Sequence, residues 1–264
     1  MSGDEIIALI ASVAIGGFLW FAWYRTAFAT AGMVGMERPL VAAVLTPIVS
    51  LAVLLVVLTT AASSDVRDST VYCTFYTVLG AAWIGLINRL DSINGLLASD
   101  DVIERRNSAA TFAWCGALLG HVLAFAGANI GDGPGWWVVI FTAFLANGTV
   151  LLAWTVFETM TNAADEITIE RSAGAGLRLG ALLVAAGLIA GRAAAGNWVS
   201  ADATFNDFVQ AAWPVVPLMM GAIIGEKLVR RFTSTRGRTL GSGFALATIF
   251  LCCALTWIFH LGHW

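Results

Sequence analysis

Residues 103–128 read IERRNSAATFAWCGALLGHVLAFAGA, and residues 169–196 read IERSAGAGLRLGALLVAAGLIAGRAAAG. In each, a charged lead-in gives way to a run of Gly, Ala and Leu about as long as the roughly 20 residues that cross a bilayer. The first run carries no Asp, Glu, Lys or Arg from Asn107 to Ala128. The second contains only Arg178 and Arg192 beyond Arg171. A helix apolar all round has no face for water and belongs in a membrane or a large core.

The rest of the chain agrees. Of 264 residues, 59% are hydrophobic and 12% charged, the mean hydropathy is +0.82, and soluble domains carry about 25% charged residues. Apolar runs near 6–24, 39–62, 70–90, 107–129, 136–157, 172–196, 208–229 and 239–262 give eight spans. The fold expected is all-α and polytopic, a single transmembrane domain over residues 1–264 in contact with the lipid bilayer. Arg178 makes the sixth span the least regular, and Pro214 and Pro217 predict a kink in the seventh. A soluble enzyme is excluded. With a net charge of -3 and no basic cluster, so is a nucleic-acid-binding domain. Asp4 and Glu5 stand where a secretory signal has Lys or Arg, so the first span reads as a retained helix. Cys73, Cys115, Cys252 and Cys253 lie in or beside apolar runs without metal or disulfide spacing, and read as small buried hydrophobes.

Around these spans runs a repeat. Each even-numbered span follows an arginine and then small residues: Arg38 before Ala42-Ala43, Arg106 before Ala109-Ala110, Arg171 before Ala173 to Gly176, and Arg238 before Gly241-Ser242-Gly243. The arginines are 68, 65 and 67 positions apart. An acidic residue closes the preceding odd span in three units, at Asp91, Glu158 and Glu226, while the first unit has Arg25. The pattern predicts four two-helix hairpins, over 5–66, 70–131, 135–200 and 204–264, all in one orientation; two copies of a four-helix unit fit it equally. Twelve of the 14 Lys and Arg residues fall on the side joined by the connections after spans 1, 3, 5 and 7; only Arg67 and Arg192 fall on the other. Because cytoplasmic loops are enriched in Lys and Arg, both termini are expected outside the cytoplasm, periplasmic in a bacterial inner membrane.

The segment Asn107-Ser108-Ala109-Ala110, with the GALLG that follows, resembles the Asn-Thr/Ser-Ala-Ala helix of the YjfL-type family of bacterial inner-membrane proteins, classed as a domain of unknown function. Residues 169–196 resemble a later helix of the same unit, with Ser172 or its neighbour in place of the asparagine. The resemblance covers residues 72–198, the last hairpin loosely and the first hardly at all. It implies a multi-spanning inner-membrane protein in an envelope-stress setting, and a fold more than an activity.

Ionisable groups at helix centres cost about 2.5–3.5 kcal/mol on insertion scales, so each needs a reason. Asp91, Glu158 and Glu226 sit near the cytoplasmic ends of odd spans, as interfacial anchors or as a ring of carboxylates on a cation path. Arg178, two turns beyond Arg171, is expected to snorkel or to pair with Glu158. His121 is the histidine well inside a span; an interhelical hydrogen bond is its leading reading, with proton relay and haem ligation as alternatives. His260 and His263 lack a third ligand, and no metal or cofactor is expected. Lys227 lies in a charged cluster with a span after it, unlike the Schiff-base lysine of an opsin, and no hydrolase motif appears. Gly116/Gly120, Gly176/Gly180, Gly187/Gly191 and Gly221/Gly225 are expected to pack helices within the subunit or in a homo-oligomer. The expected function is non-enzymatic: a channel or transporter for a small ion or solute, with Asp91, Glu158 and Glu226 at the cytoplasmic mouth and His121 deeper. The alternative is a scaffold whose loops 100–106 and 165–171 dock a soluble cytoplasmic partner.

Overall fold

The computed structural model describes residues 1–232 and 240–262. Arg236, Arg238, His263 and Trp264 lie outside the described residues. The described residues form α1 (Gly3–Val34), α2 (Arg38–Thr60), α3 (Ser64–Arg67), α4 (Thr70–Leu90), α5 (Ser108–Gly127), α6 (Trp136–Thr161), α7 (Ala163–Thr168), α8 (Ala173–Ala194), α9 (Ala201–Ala212), α10 (Val215–Phe232) and α11 (Leu240–His260). A 3-10 turn (Asp91–Asn94) and a π-helical turn (Ala98–Glu104) link α4 to α5. Eight helical segments are long and apolar enough to cross a membrane, with α9 and α10 together making the seventh. This is an all-α, multi-pass membrane protein.

Two differences from the expected spans have simple causes. The first helix runs ten residues past Tyr24, because exposed Arg25 lies along its flank and does not end it. The seventh begins early, at Ala201, with the amphipathic α9, and breaks between Ala212 and Val215 at Pro214, whose ring cannot continue the hydrogen-bond ladder. Pro47 is buried within α2 without breaking it. A proline there leaves the carbonyl of Ala43 without its helical donor, and the Trp23 indole N–H supplies one at 2.9 Å.

Successive hairpins pack as parallel neighbours. Tyr72 of α4 reaches Glu5 of α1, Cys115 of α5 meets Thr46 of α2, Arg178 of α8 meets Ser242 of α11, and Arg230 of α10 donates to the carbonyl of Thr161 at the end of α6. The partners in these bonds are 67, 69, 64 and 69 positions apart. At the centre lie α5 and α8, in register from Ala109 against Gly176 to Gly127 against Gly191. A Cβ on Gly116 would overlap the backbone of Gly180, and one on Gly187 the backbone of Gly120. Glycine is required there because the two main chains touch. Gly221 has nothing within 4 Å of where its Cβ would be. The glycine steps are therefore not equivalent: those of α5 and α8 close the centre, and Gly221 has open space beside it among the described residues.

Candidate functional site

The two central helices start from connections built alike. Arg106 and Arg171 both adopt left-handed backbone, with φ 49° and 55°. The next residue caps the helix: Asn107 accepts from the N–H of Ala109 at 3.0 Å, and Ser172 from that of Ala175 at 3.4 Å. Each cap also donates its own N–H to the carbonyl of a buried acid, Asp101 for Asn107 and Glu166 for Ser172, both at 2.9 Å. Asn107 alone goes further, donating from Nδ2 to the carbonyl of Ile167 at 2.7 Å and tying the two connections together. Arg106 reaches Glu37, beside exposed Arg38, at 2.8 Å.

Well inside the bundle α5 presents His121, which is 0% exposed. Its Nδ1 lies 2.9 Å from Oδ1 of Asn147 on α6, and its Nε2 lies 3.0 Å from Oδ1 of Asp91 in the turn after α4. Asn147 Nδ2 donates to the carbonyl of Ala143 at 3.0 Å, which turns Oδ1 toward the ring and assigns a hydrogen to His121 Nδ1. Nε2 then faces the Asp91 carboxyl across a single hydrogen bond. Asp91 is 2% exposed and its Oδ2 has no hydrogen-bonding partner, nor has Nδ2 of buried Asn94. This cluster is hydrogen-bonded yet incomplete.

The second buried cluster hangs from α8. Arg178, 2% exposed, donates from Nε to Glu226 Oε2 at 2.7 Å and from the terminal Nη2 to Oε1 at 2.8 Å, a bidentate pair. Arg230 lies 2.8 Å from Glu166 and 3.5 Å from Glu226, so two arginines meet two glutamates and formal charge cancels. Arg178 therefore neither snorkels nor pairs with Glu158. Glu226 is also buried and approaches along α10.

The three carboxylates expected as a ring are separately engaged. Glu158 is half-buried and its Oε2 accepts from the N–H of Ala164, capping α7, while Asp91 serves His121 and Glu226 serves Arg178. With Asp91 and Glu226 buried, they line no wet mouth. The expected set is thus divided: Asp91 with His121, Arg178 with Glu226, and Glu158 apart. Sequence reading missed Asn147, which carries no charge, and Glu166 and Arg230, which were assigned to connections facing solvent. For Asn147 the available signal was an amide in the middle of an apolar span; for Glu166 it was its place 65 positions after Asp101. Among the described residues no three His, Cys, Asp or Glu converge to hold a metal.

On the face that carries the N-terminus, the far ends of α5 and α8 open into a cavity of about 310 Å³, walled by the connections 128–135 and 193–198 and by α4, α6 and α9. Its floor includes Ala128 and Thr142. Thr142 is five residues from Asn147 along α6, about 8 Å of helix rise. The cavity lining and the His121 cluster are thus linked through α6, about one and a half turns apart.

No family model, curated protein or solved structure matches the chain. The functional reading rests on this geometry.

Proposed function

We propose that this integral membrane protein transports a small ion or solute, and that its cycle includes protonation and deprotonation of the His121–Asp91 pair. The observation that carries the reading is a histidine and an aspartate in hydrogen-bond contact at 3.0 Å in the apolar interior, with a carboxylate oxygen left unpartnered. Ionisable groups at such depth mark ion or proton paths by default. The contact of α5 with α8 leaves no space for an open pore between them. Rocking of parallel hairpins about that seam, between a state open to the outer cavity and one open to the opposite face, fits the packing better.

In this reading the protein is of the kind implied by the resemblance at Asn107 to Ala110, with repeated hairpins and periplasmic termini. The sidedness rests on the asymmetry of Lys and Arg. A closed seam also favours the scaffold reading. Against it, the acids Asp101 and Glu166 in the supposed docking loops turn inward and are 3% and 4% exposed, which leaves Glu104, Arg105, Asp165, Glu170 and Arg171 as the exposed charges there.

The test is flux through purified protein in liposomes under cation, anion and proton gradients. The expected result is flux that responds to a proton gradient, is lost in Asp91→Asn and His121→Gln, and persists in Glu158→Gln. Absence of flux under every gradient, with insertion verified, would overturn the proposal in favour of the scaffold.

A further inference from the structure

The outer cavity has a chemistry of its own. Its lining contains Glu5, Asp65, Asp132 and Asp207 and, among the described residues, no Lys, Arg or His. Four carboxylates without a basic counterpart make the mouth attractive to cations. Acidity alone selects nothing, but two further features do. Asn129 lies in the wall, is 4% exposed, and donates from Nδ2 to the carbonyl of Phe125 at 2.8 Å, while its Oδ1 has no partner. A buried amide oxygen without a donor invites an N–H or O–H from outside the chain. Trp198, also in the wall, is held in place by edge contacts to Trp137 and Phe141 at 5.0 and 5.7 Å between ring centroids, and buried Tyr76 adds a second ring. Fixed aromatic faces beside carboxylates attract organic cations.

We infer that the cavity binds a small organic ammonium ion, with its N–H donated to Asn129 Oδ1 and its alkyl part against Trp198 and Tyr76. The carboxylates at the rim supply attraction; Asn129 supplies the demand for a hydrogen-bond donor. A tightly held transition metal fits less well, because no three His, Cys, Asp or Glu converge among the described residues. A bulky cation is limited by the volume of about 310 Å³. This inference names a substrate class for the proposed transporter and rests on that reading only for its physiological meaning, since binding is measurable without flux.

The experiment is isothermal titration calorimetry on the full chain in detergent micelles, with butylammonium, tetramethylammonium, sodium and acetate as separate probes. The expected result is saturable binding of butylammonium, at least tenfold weaker binding of tetramethylammonium, which has no N–H, and none of acetate. Asn129→Leu should weaken butylammonium at least tenfold. Asp207→Asn and Trp198→Ala, on the rim and wall, should each weaken it several-fold and guard against a folding defect at Asn129. Equal affinity for butylammonium and sodium, or binding indifferent to all three substitutions, would overturn the assignment. His121→Gln should leave binding intact. Binding that persists in a protein without flux would sink the transport reading and keep the site; flux that persists without amine binding would do the reverse.

Discussion

His121 on α5 and Arg178 on α8 stand on the two central helices, both buried and both answered by carboxylates, yet the two clusters are different devices. Around Arg178 every charge has an opposite charge at 2.7 to 4.0 Å, and a guanidinium does not give up its proton in a protein. That cluster is tied by opposite charges and holds α8 to α10. Around His121 a neutral amide and one carboxylate oxygen answer the ring, and Asp91 keeps its other oxygen without a partner. One half of the molecule is latched to its centre by fixed charge, through α8, α10 and α11; the other meets α5 through the neutral bonds Thr46–Cys115 and Asn88–Trp114 and through the His121–Asp91 contact. If hairpins rock, the moving element is the one joined through His121.

The strongest way to break this comparison is to remove the latch. Arg178→Met leaves buried Glu226 without its main partner, and losing one member of a buried pair costs about 3–5 kcal/mol. Thermal unfolding in micelles should show a large loss of stability, much of it recovered in Arg178→Met with Glu226→Met, since Arg230 and Glu166 still face each other. No recovery in the double variant would refute the latch. His121→Gln should behave otherwise: a stability loss of about 1–3 kcal/mol, from a hydrogen bond replaced imperfectly, but a flux loss of roughly tenfold or more, equivalent to at least about 1.4 kcal/mol in barrier. A variant of the His121 cluster that unfolds like Arg178→Met and leaves residual flux unchanged would make both clusters structural.

Smaller in effect is the seam itself. Gly180→Ala sets a Cβ against the carbonyl of Phe112, where it would lie at 2.5 Å, so the central helices must part at a cost of about 1–3 kcal/mol. Gly221→Ala, with open space around it, should be neutral or gain up to about 1 kcal/mol from helix propensity. Equal responses in the unfolding temperature would mean that α5 and α8 do not touch as closely as their glycines require.

How much of this was legible in the sequence follows the same division. The spans were readable because bilayer thickness imposes a length, and the break at Pro214 because proline lacks an N–H. The lead-in arginines mark the caps of α5 and α8, with Asn107 and Ser172 in matching roles. Partner choice was not readable. Arg178 lies closer in sequence to Glu158 than to Glu226, yet it pairs 48 positions away, with α10 of the following span and not with α6 of its own hairpin. Glu166 looked solvent-facing because it sits between spans, and only the inward turn of α7 buries it. His121 was visible as an anomaly in an apolar span, whereas its partners depend on how α4 ends and which face α6 presents.

The finest comparison is between the two caps. Asn107 accepts from Ala109 at 3.0 Å and donates to Ile167 at 2.7 Å, at 1% exposure, whereas Ser172 makes one long side-chain bond of 3.4 Å to Ala175. Asn107→Ala removes a cap worth about 0.5–2 kcal/mol and also strips the Ile167 carbonyl of its donor, so its total should sit at or above the top of that range. Ser172→Ala should cost about 0.5 kcal/mol, at the bottom of it. Ser172→Asn is the sharper variant, because it gives α8 the residue that α5 uses. If asparagine acts only as a cap, the substitution should stabilise the protein by a few tenths of a kcal/mol. If its value at Asn107 lies mainly in reaching Ile167, the same change at Ser172 should do little, because the bond between the connections is already made from the α5 side. Chemical unfolding of the three variants in one micelle system separates these outcomes, and a loss for Ser172→Ala as large as for Asn107→Ala would mean that the link between the connections contributes nothing.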